Sequence, residues 1–221
     1  MLRRLLLLGA PGVGKGTQAA RLVARLGVPQ ISTGDMLRAA VAAGTAVGRE
    51  ARGYMDRGEL VPDAVVIAVA EERLRQPDTE RGFILDGFPR NSAQAEFFLE
   101  SYELNAVIHV HVPDAVVRQR ILSRRLCEGC GLDYNLIHHR PMSEDTCDVC
   151  GGRLVARADD NEQALDARLR DYHAKTEPVL DLFRRRIPVV EVDGTRDAAE
   201  VQAAIRDKLH LPPRRGAASG G

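Results

Sequence analysis

Lysine is nearly missing from this chain. Of its 31 basic residues only Lys15, Lys175 and Lys208 are lysines, against 28 arginines. Genomic nucleotide composition accounts for such a bias, so the mere presence of an arginine argues little, whereas a surviving lysine invites a question. A surplus of charge is missing too: 31 acidic residues balance the 31 basic ones, and the pI is about 7.0. That balance excludes a general binder of nucleic acid or membrane surface, whose footprint is a basic excess. No apolar run approaches membrane-spanning length. The four leucines at 5–8 in "MLRRLLLLGAPG" end in a glycine-rich turn with no small-residue cleavage site, which fits a buried strand better than a secretion signal. No internal repeat is visible, and cysteine is absent outside residues 127–150. The expectation is a soluble cytoplasmic protein.

With 221 residues, 44% of them hydrophobic, the chain can build one well-buried core with small appendages. Short leucine-rich or β-branched runs alternate with longer segments of helical period. "LRRLLLLG", "VPQIS", "GFILDGF", "NAVIHVHV" and "IPVVEVDG" read as strands. Between them, "GKGTQAARLVARLG", "TGDMLRAAVAAG", "AVVIAVAEERLRQ", "NSAQAEFFLESY" and "DAVVRQRILSRRL" read as helices, with "NEQALDARLRDYHAKTEPVLDLFRRR" a later pair and "DAAEVQAAIRDKL" the last. Strands apolar throughout, each followed by a helix, predict an α/β fold: a parallel five-stranded sheet with helices on both faces. A helical insert at about 32–61 and the cysteine stretch interrupt that rhythm as two small lobes. The tail "PPRRGAASGG" reads as disordered.

After the first strand comes "GAPGVGKGT", and then a helix. Glycines let the backbone curl round an anion, so that successive N–H groups and the helix N-terminus point at phosphate oxygens. Gly12, Val13, Gly14, Lys15, Gly16 and Thr17 form this P-loop, with the Lys15 ammonium on the β- and γ-phosphates. The general pattern puts a hydroxyl directly after the lysine; here Gly16 intervenes and the hydroxyl is that of Thr17. A nucleoside triphosphate site follows from strand, loop, lysine and helix in that order, but the fate of the phosphate does not.

The cysteines are spaced C-x2-C, sixteen residues, C-x2-C, at Cys127, Cys130, Cys147 and Cys150. Paired knuckles at that separation signal zinc; two disulfides or chance are the alternatives, and a reducing cytosol disfavours the first. Four thiolates fill a tetrahedral shell and leave no open position, so the metal is structural rather than catalytic. His138 and His139 are expected to be exposed rather than ligands.

Taken together, "GAPGVGKGT", "ISTGDMLR", "GFILDGFPR" and "RADD…RLRDYH" resemble, in order and spacing, the signature runs of adenylate kinases, over nearly the whole chain up to about Leu211. The resemblance implies reversible phosphoryl transfer from ATP to AMP, giving two ADP with Mg²⁺, in adenine nucleotide homeostasis by a monomer. It divides the chain into core segments 1–31, 62–123 and 162–211, an AMP-binding lobe 32–61 and a mobile lid 124–161, with 212–221 a disordered tail. Arg38 and Arg90 would hold the AMP phosphate. Arg124, Arg157 and Arg168 would gather round the transferring group. Arg120, Asp133, Tyr134 and the backbone near Arg196 would face ATP. Thr33, Gly34, the segment Glu59, Leu60 and Val61, the run Gly87, Phe88 and Pro89, and Gln94 would line the AMP site, Gln94 reading the adenine edge. Asp86 would act on Mg²⁺ through bound water or, as an Asp-Gly pair, merely cap a turn. Asp159 and Asp160 would either secure lid closure or cap the next helix. A four-cysteine zinc lid is also a version known in this family, and "CEGCGLDY" with "CDVCGGRL" looks like it.

This chain departs from the family pattern in three places. "PRNSAQA" stands where "PRTIPQA" is expected, Asn135 where histidine is common, and "IHHRPM" where a Phe-Asn-Pro-Pro run is usual. Nucleoside monophosphate kinases of different donor or acceptor choice (GTP with AMP, or a pyrimidine nucleotide) are the nearest rivals. A nucleotide-binding zinc module without turnover is a rival of another class, which the two phosphate clamps argue against.

Overall fold

The computed structural model describes residues 3–137 and 139–211; His138 and the tail 212–221, each with an expectation above, lie outside the described residues. The chain opens with β1 (Arg4–Leu8) and passes through the glycine-rich loop into α1 (Lys15–Leu26). Gly27 ends that helix in the left-handed region, its N–H returned to the Val23 carbonyl. After β2 (Gln30–Ser32) the insert divides into α2 (Thr33–Ala42), capped by the Ser32 hydroxyl, and α3 (Ala46–Asp56), capped by that of Thr45. Pro62 launches α4 (Asp63–Leu74) with an acid in its first turn. Then come β3 (Phe83–Asp86), α5 (Ser92–Ser101) with Asn91 as its cap, β4 (Ala106–His111) and α6 (Asp114–Leu122).

Here sequence periodicity overran. The helix expected through "SRRL" stops at Leu122, where the Ser123 hydroxyl turns back to the Gln119 carbonyl at 2.6 Å. Residues beyond it become β5 (Arg124–Cys127), which pairs antiparallel with β6 (Asp133–Asn135) and β7 (Leu154–Val155) as a small separate sheet. The chain returns through α7 (Glu162–Asp171), a π-helical turn Tyr172–Thr176, α8 (Val179–Arg184), β8 (Val189–Asp193) and α9 (Ala198–Lys208).

The large sheet runs β2-β3-β1-β4-β8, parallel throughout, as expected. Alternate side chains of β1 divide between its faces: Leu5 and Leu7 enter the core with α1, α6 and α9, and Leu6 and Leu8 the core with α4, α5 and α8. All four are at most 3% exposed, each worth about 1.5–3 kcal/mol of burial. A run of four leucines is therefore what a strand buried on both faces demands. The carboxyl ends of β1, β2 and β3 lie side by side, Leu7 and Ser32 both in register with Asp86, and the loops leaving them share one cleft. Parallel α/β sheets place ligands at that end.

Candidate active site

A cavity of about 790 Å³ opens above these strand ends. At its floor Gly14, in the left-handed region, turns the loop into α1, whose N-terminus carries neither a side-chain cap nor an acid in its first turn. Its first N–H groups are thus available to an anion. Lys15 Nζ donates to the Gly9 and Ala10 carbonyls at 2.8 Å, so the ammonium lies across the glycine-rich loop. Burial pushes its pKa down to about 8; Asp86 pulls it up, while Arg90, Arg124 and Arg168 push it further down. Asp86 accepts from Gln30 Nε2 at 3.4 Å, and burial raises its carboxyl above the usual range against the pull of Lys15 and Arg90.

Across the cleft, Arg90 Nε donates to the Gly87 carbonyl at 2.6 Å, and the Thr33 hydroxyl donates to the same carbonyl at 2.9 Å. Gly34 makes the close approach possible. A Cβ there would sit 3.2 Å from Arg38 Nη2 and 3.5 Å from Arg90 Nη2, so the missing side chain leaves space for two guanidinium groups. Gln94 is 1% exposed and lines this wall, its Oε1 accepting from the Arg90 N–H at 2.8 Å. Asn91, the departure from the family run, serves as the α5 cap through its Oδ1. Phe88 lies elsewhere: its ring is in the core, edge-on to Phe98, while the cleft is lined by its neighbours Gly87 and Pro89. Leu60, between Glu59 and Val61 at the edge of the helical insert, donates its N–H to Asp171 at 3.3 Å.

Between these ends stand the remaining arginines. Arg124 donates from Nε and Nη2 to both oxygens of Asp160 at 2.8 and 2.5 Å. Arg168 pairs with Asp159 and, at 3.5 Å, with Asp160; Arg38 lies 4.0 Å from Asp159. The side chain of Asn161, not either aspartate, caps α7, which removes the helix-cap alternative for Asp159 and Asp160. Arg157 donates to Asp133 at 3.1 Å, and its buried Nε has no hydrogen-bond partner among the described residues. Burial, then the nearby Arg124, Arg90, Arg38 and Arg157, pushes Arg168 down to about 9; burial with Arg124 and Arg38 lowers Arg157, and burial with Arg38 lowers Arg90 against the pull of Asp86. Guanidinium keeps its proton at neutral pH even so. The shifts therefore register crowded positive charge that the neighbouring aspartates offset only in part, a condition an incoming polyanion relieves.

Towards the outer end, Arg120 Nη2 donates to the Thr195 carbonyl at 3.4 Å, and Arg196 follows in the same loop, 3.5 Å from Asp193. Asn135 Nδ2 donates to the Arg120 carbonyl at 2.9 Å, tying β6 to α6. Tyr134 borders the cleft, but its ring stacks on His139 and its hydroxyl reaches Cys147 Sγ at 3.5 Å and accepts from the Asp148 N–H.

The four cysteine sulfurs lie within 4.8 Å of one another, the one group of three or more candidate metal ligands among the described residues. Cys127 and Cys150 approach to 3.4 Å and Cys130 and Cys147 to 3.7 Å, too far for disulfides; all four are free thiols. Four sulfurs each about 2.3 Å from one zinc ion would be about 3.8 Å apart, and the cluster fits that tetrahedron. Gly152 belongs to the fit, because a Cβ there would lie 2.8 Å from Cys127 Sγ. His139 is exposed and outside the cluster.

Apart from Phe88, Asp160 and the four cysteines, every residue given a part in the nucleotide site from the sequence borders this cleft. Sequence reasoning missed Asp171 and Thr176, which line the cleft and bond to its wall, and Asp63, which supports that wall from behind. An acid after Pro62 signals only a helix start, and partners as remote as Leu60 is from Asp171 leave no local trace.

Cationic side chains on both sides of one cleft suit transfer of a phosphoryl group between two phosphorylated molecules. With the P-loop sheet beneath them, they place the chain among the P-loop phosphotransferases. Comparison with known proteins narrows the class. A family model described as adenylate kinase matches residues 7–187. The adenylate kinase of Archaeoglobus fulgidus is 52% identical over 206 residues, which cover 91% of this chain and 95% of that protein. That of Thermodesulfovibrio yellowstonii is 50% identical over 207 residues, covering 91% and 96%. That of Desulfitobacterium hafniense strain Y51 is 44% identical over 211 residues, covering 93% and 97%. The chain belongs to the adenylate kinase family.

Proposed function

We propose that the enzyme transfers the terminal phosphoryl group of ATP to AMP, reversibly, giving two ADP. The observation that carries this reading is that Lys15, on the loop after β1, and Arg90, on the loop after β3, line one cleft, with the Arg90 charge among those that lower the Lys15 pKa. ATP occupies the end bordered by the P-loop, Arg120 and the loop through Arg196, and AMP the end bordered by Thr33, Arg38, Arg90 and Gln94. An oxygen of the AMP phosphate forms a bond to the γ-phosphorus. The bond from that phosphorus to the β,γ-bridging oxygen breaks, and its electron pair stays on the departing ADP. The acceptor is already an anion, so no general base is needed; the protein positions the reactants and offsets their charge.

Arginine suits that task because its fork binds phosphate oxygens in pairs and keeps its charge. Arg124 and Arg168 act on the transferring group once phosphates displace Asp160 and Asp159 as their partners, and Arg157 once they displace Asp133. Asp86 is the residue to hold Mg²⁺ through bound water, and the ion would supply further charge neutralisation on the phosphates. Residues 32–61 and 124–161 close as AMP lobe and lid over the core segments 1–31, 62–123 and 162–211, excluding water from the transfer; lid closure of this kind is a known adenylate kinase property. A zinc ion on the four cysteines keeps the lid rigid. The enzyme acts as a cytoplasmic monomer in adenine nucleotide homeostasis. No helix among the described residues is long and apolar enough to cross a membrane. ADP production from ATP and AMP with Mg²⁺, repeated with UMP, CMP and GMP and with GTP as donor, tests the reading. Preference for another pair overturns the choice of nucleotides, and failure of a mimic joining two adenosines to bind overturns the two-nucleotide cleft.

A further inference from the structure

An amide that reads a base is only as selective as its orientation. Gln94 carries a donor and an acceptor of nearly equal shape, and turning the amide over exchanges them. In this protein both ends are engaged from behind. Nε2 donates to Asp63 Oδ1 at 2.7 Å, and Oε1 accepts from the Arg90 N–H at 2.8 Å. Asp63 offers only acceptors to this contact and a backbone N–H only a donor, so the network admits one orientation. Turned over, the amide would set oxygen against carboxylate and N–H against N–H in a side chain only 1% exposed, where polar groups are rarely left unpaired. Asp63 is itself fixed. Asn91 Nδ2 donates to the same Oδ1 at 2.8 Å, and Asn91 Oδ1 accepts from the Gln94 N–H at 2.9 Å, closing a triangle between the N-termini of α4 and α5.

We propose that Asp63 and Asn91 are specificity-determining residues, which lock the Gln94 amide so that it accepts a base with a 6-amino group and rejects one with a 6-oxo group. The inference rests on the reading above that Gln94 faces the AMP base. The lock leaves one Oε1 lone pair and one Nε2–H in fixed order at the cleft wall. Adenine presents a donor at position 6 beside an acceptor at position 1, whereas hypoxanthine presents an acceptor beside a donor. A free amide serves both by turning over; a locked one serves one. Asp63 and Asn91 touch no substrate in this scheme and act through Gln94.

The test compares kcat/KM for AMP and for inosine monophosphate, which differ at positions 6 and 1 alone. Asp63→Asn places at position 63 an amide that can donate as well as accept, and so removes one of the two contacts that oppose turning Gln94 over, leaving the Arg90 N–H as the other. The AMP preference is expected to fall about tenfold, the worth of one buried hydrogen-bond mismatch, through KM for the acceptor and not for ATP. Asn91→Ser keeps a helix cap but drops the bond to Asp63, and a smaller shift in the same direction is expected. A purely structural role would depress both acceptors equally, and an unchanged ratio in both variants overturns the lock. Gln94→Met separates the two readings. If it leaves the ratio unchanged, Gln94 does not face the base and both fall; if it changes the ratio while Asp63→Asn and Asn91→Ser do not, the lock alone is wrong.

Discussion

The Thr176 hydroxyl donates to the carbonyl of Arg90 at 2.7 Å, joining two residues 86 positions apart. Because the Arg90 N–H is held by Gln94, both sides of this residue are pinned while its guanidinium reaches into the cleft. Thr176 closes the π-helical turn between α7 and α8, and such turns recur at functional sites. Thr176→Val keeps the shape and removes the donor. It should cost about 1 kcal/mol of stability, the low end of the penalty for an unpaired polar group, because this carbonyl is only partly buried. It should also raise KM for AMP several-fold and leave KM for ATP alone. Denaturant melts and initial rates with each nucleotide varied would check this; an equal rise in both KM values would deny Thr176 a role in placing Arg90.

Arg90 itself is testable by keeping its charge and removing its fork. Arg90→Lys retains a cation but loses paired contact with phosphate oxygens. Turnover should drop about 10²–10³-fold, the usual cost of losing one fixed donor to a transition state. The melting temperature should stay near that of the parent, since the guanidinium lines a cleft rather than a core. Near-normal turnover would remove Arg90 from the phosphate clamp.

For Lys15 the pH dependence has a definite sign. Burial lowers its pKa to about 8, below the ordinary lysine value of about 10.4. Between those values the unfolded chain holds more protons than the native one, so this group's contribution to stability rises with pH across that window and is lost as pH falls through about 8. Phosphate contact favours the ammonium form, so ATP binding must draw a proton in. Calorimetric titration with ATP at pH 8, in two buffers of different ionisation enthalpy, should record net proton uptake, and Lys15→Met should abolish it. Zero uptake by the parent would mean the amine does not meet phosphate.

Most of the fold was legible because β1 and its neighbours β3 and β4 carry buried apolar runs and helices such as α2, α3 and α5 carry their own caps. The P-loop and cysteine knuckles were legible because their spacing is itself the chemistry. What escaped was set at long range. "SRRL" suits either a helix end or a strand, and only pairing with β6 and β7 decides. Asn91 looked like a flaw in a familiar run until the α5 cap and the Asp63 contact were visible. Asp159 and Asp160 were ambiguous from sequence because a helix follows at once; Asn161 takes the cap and frees both for arginine.

The lid is where the core is thinnest. Its buried cluster is Cys127, Tyr134, Cys147 and Leu154, two of them would-be metal ligands. So few side chains cannot offset the cost of ordering a segment of this length, and a bound metal can, since apparent zinc-binding energies in small fingers are about 10–16 kcal/mol. The main core does not depend on it, because both faces of the large sheet are packed by helices. Chelation and Cys127→Ser should therefore act in the same way. Scanning calorimetry should show a transition at lower temperature than in the zinc-loaded protein, with most of the far-ultraviolet helix signal surviving it. Elemental analysis should find one zinc per chain in the parent. Activity should fail over the same temperature range as the early transition, because a loosened lid no longer delivers Arg124 and Arg157 to the cleft. If metal-free and zinc-loaded protein melt together, the metal does not hold the lid, and rigidity there must come from the β5–β7 sheet alone.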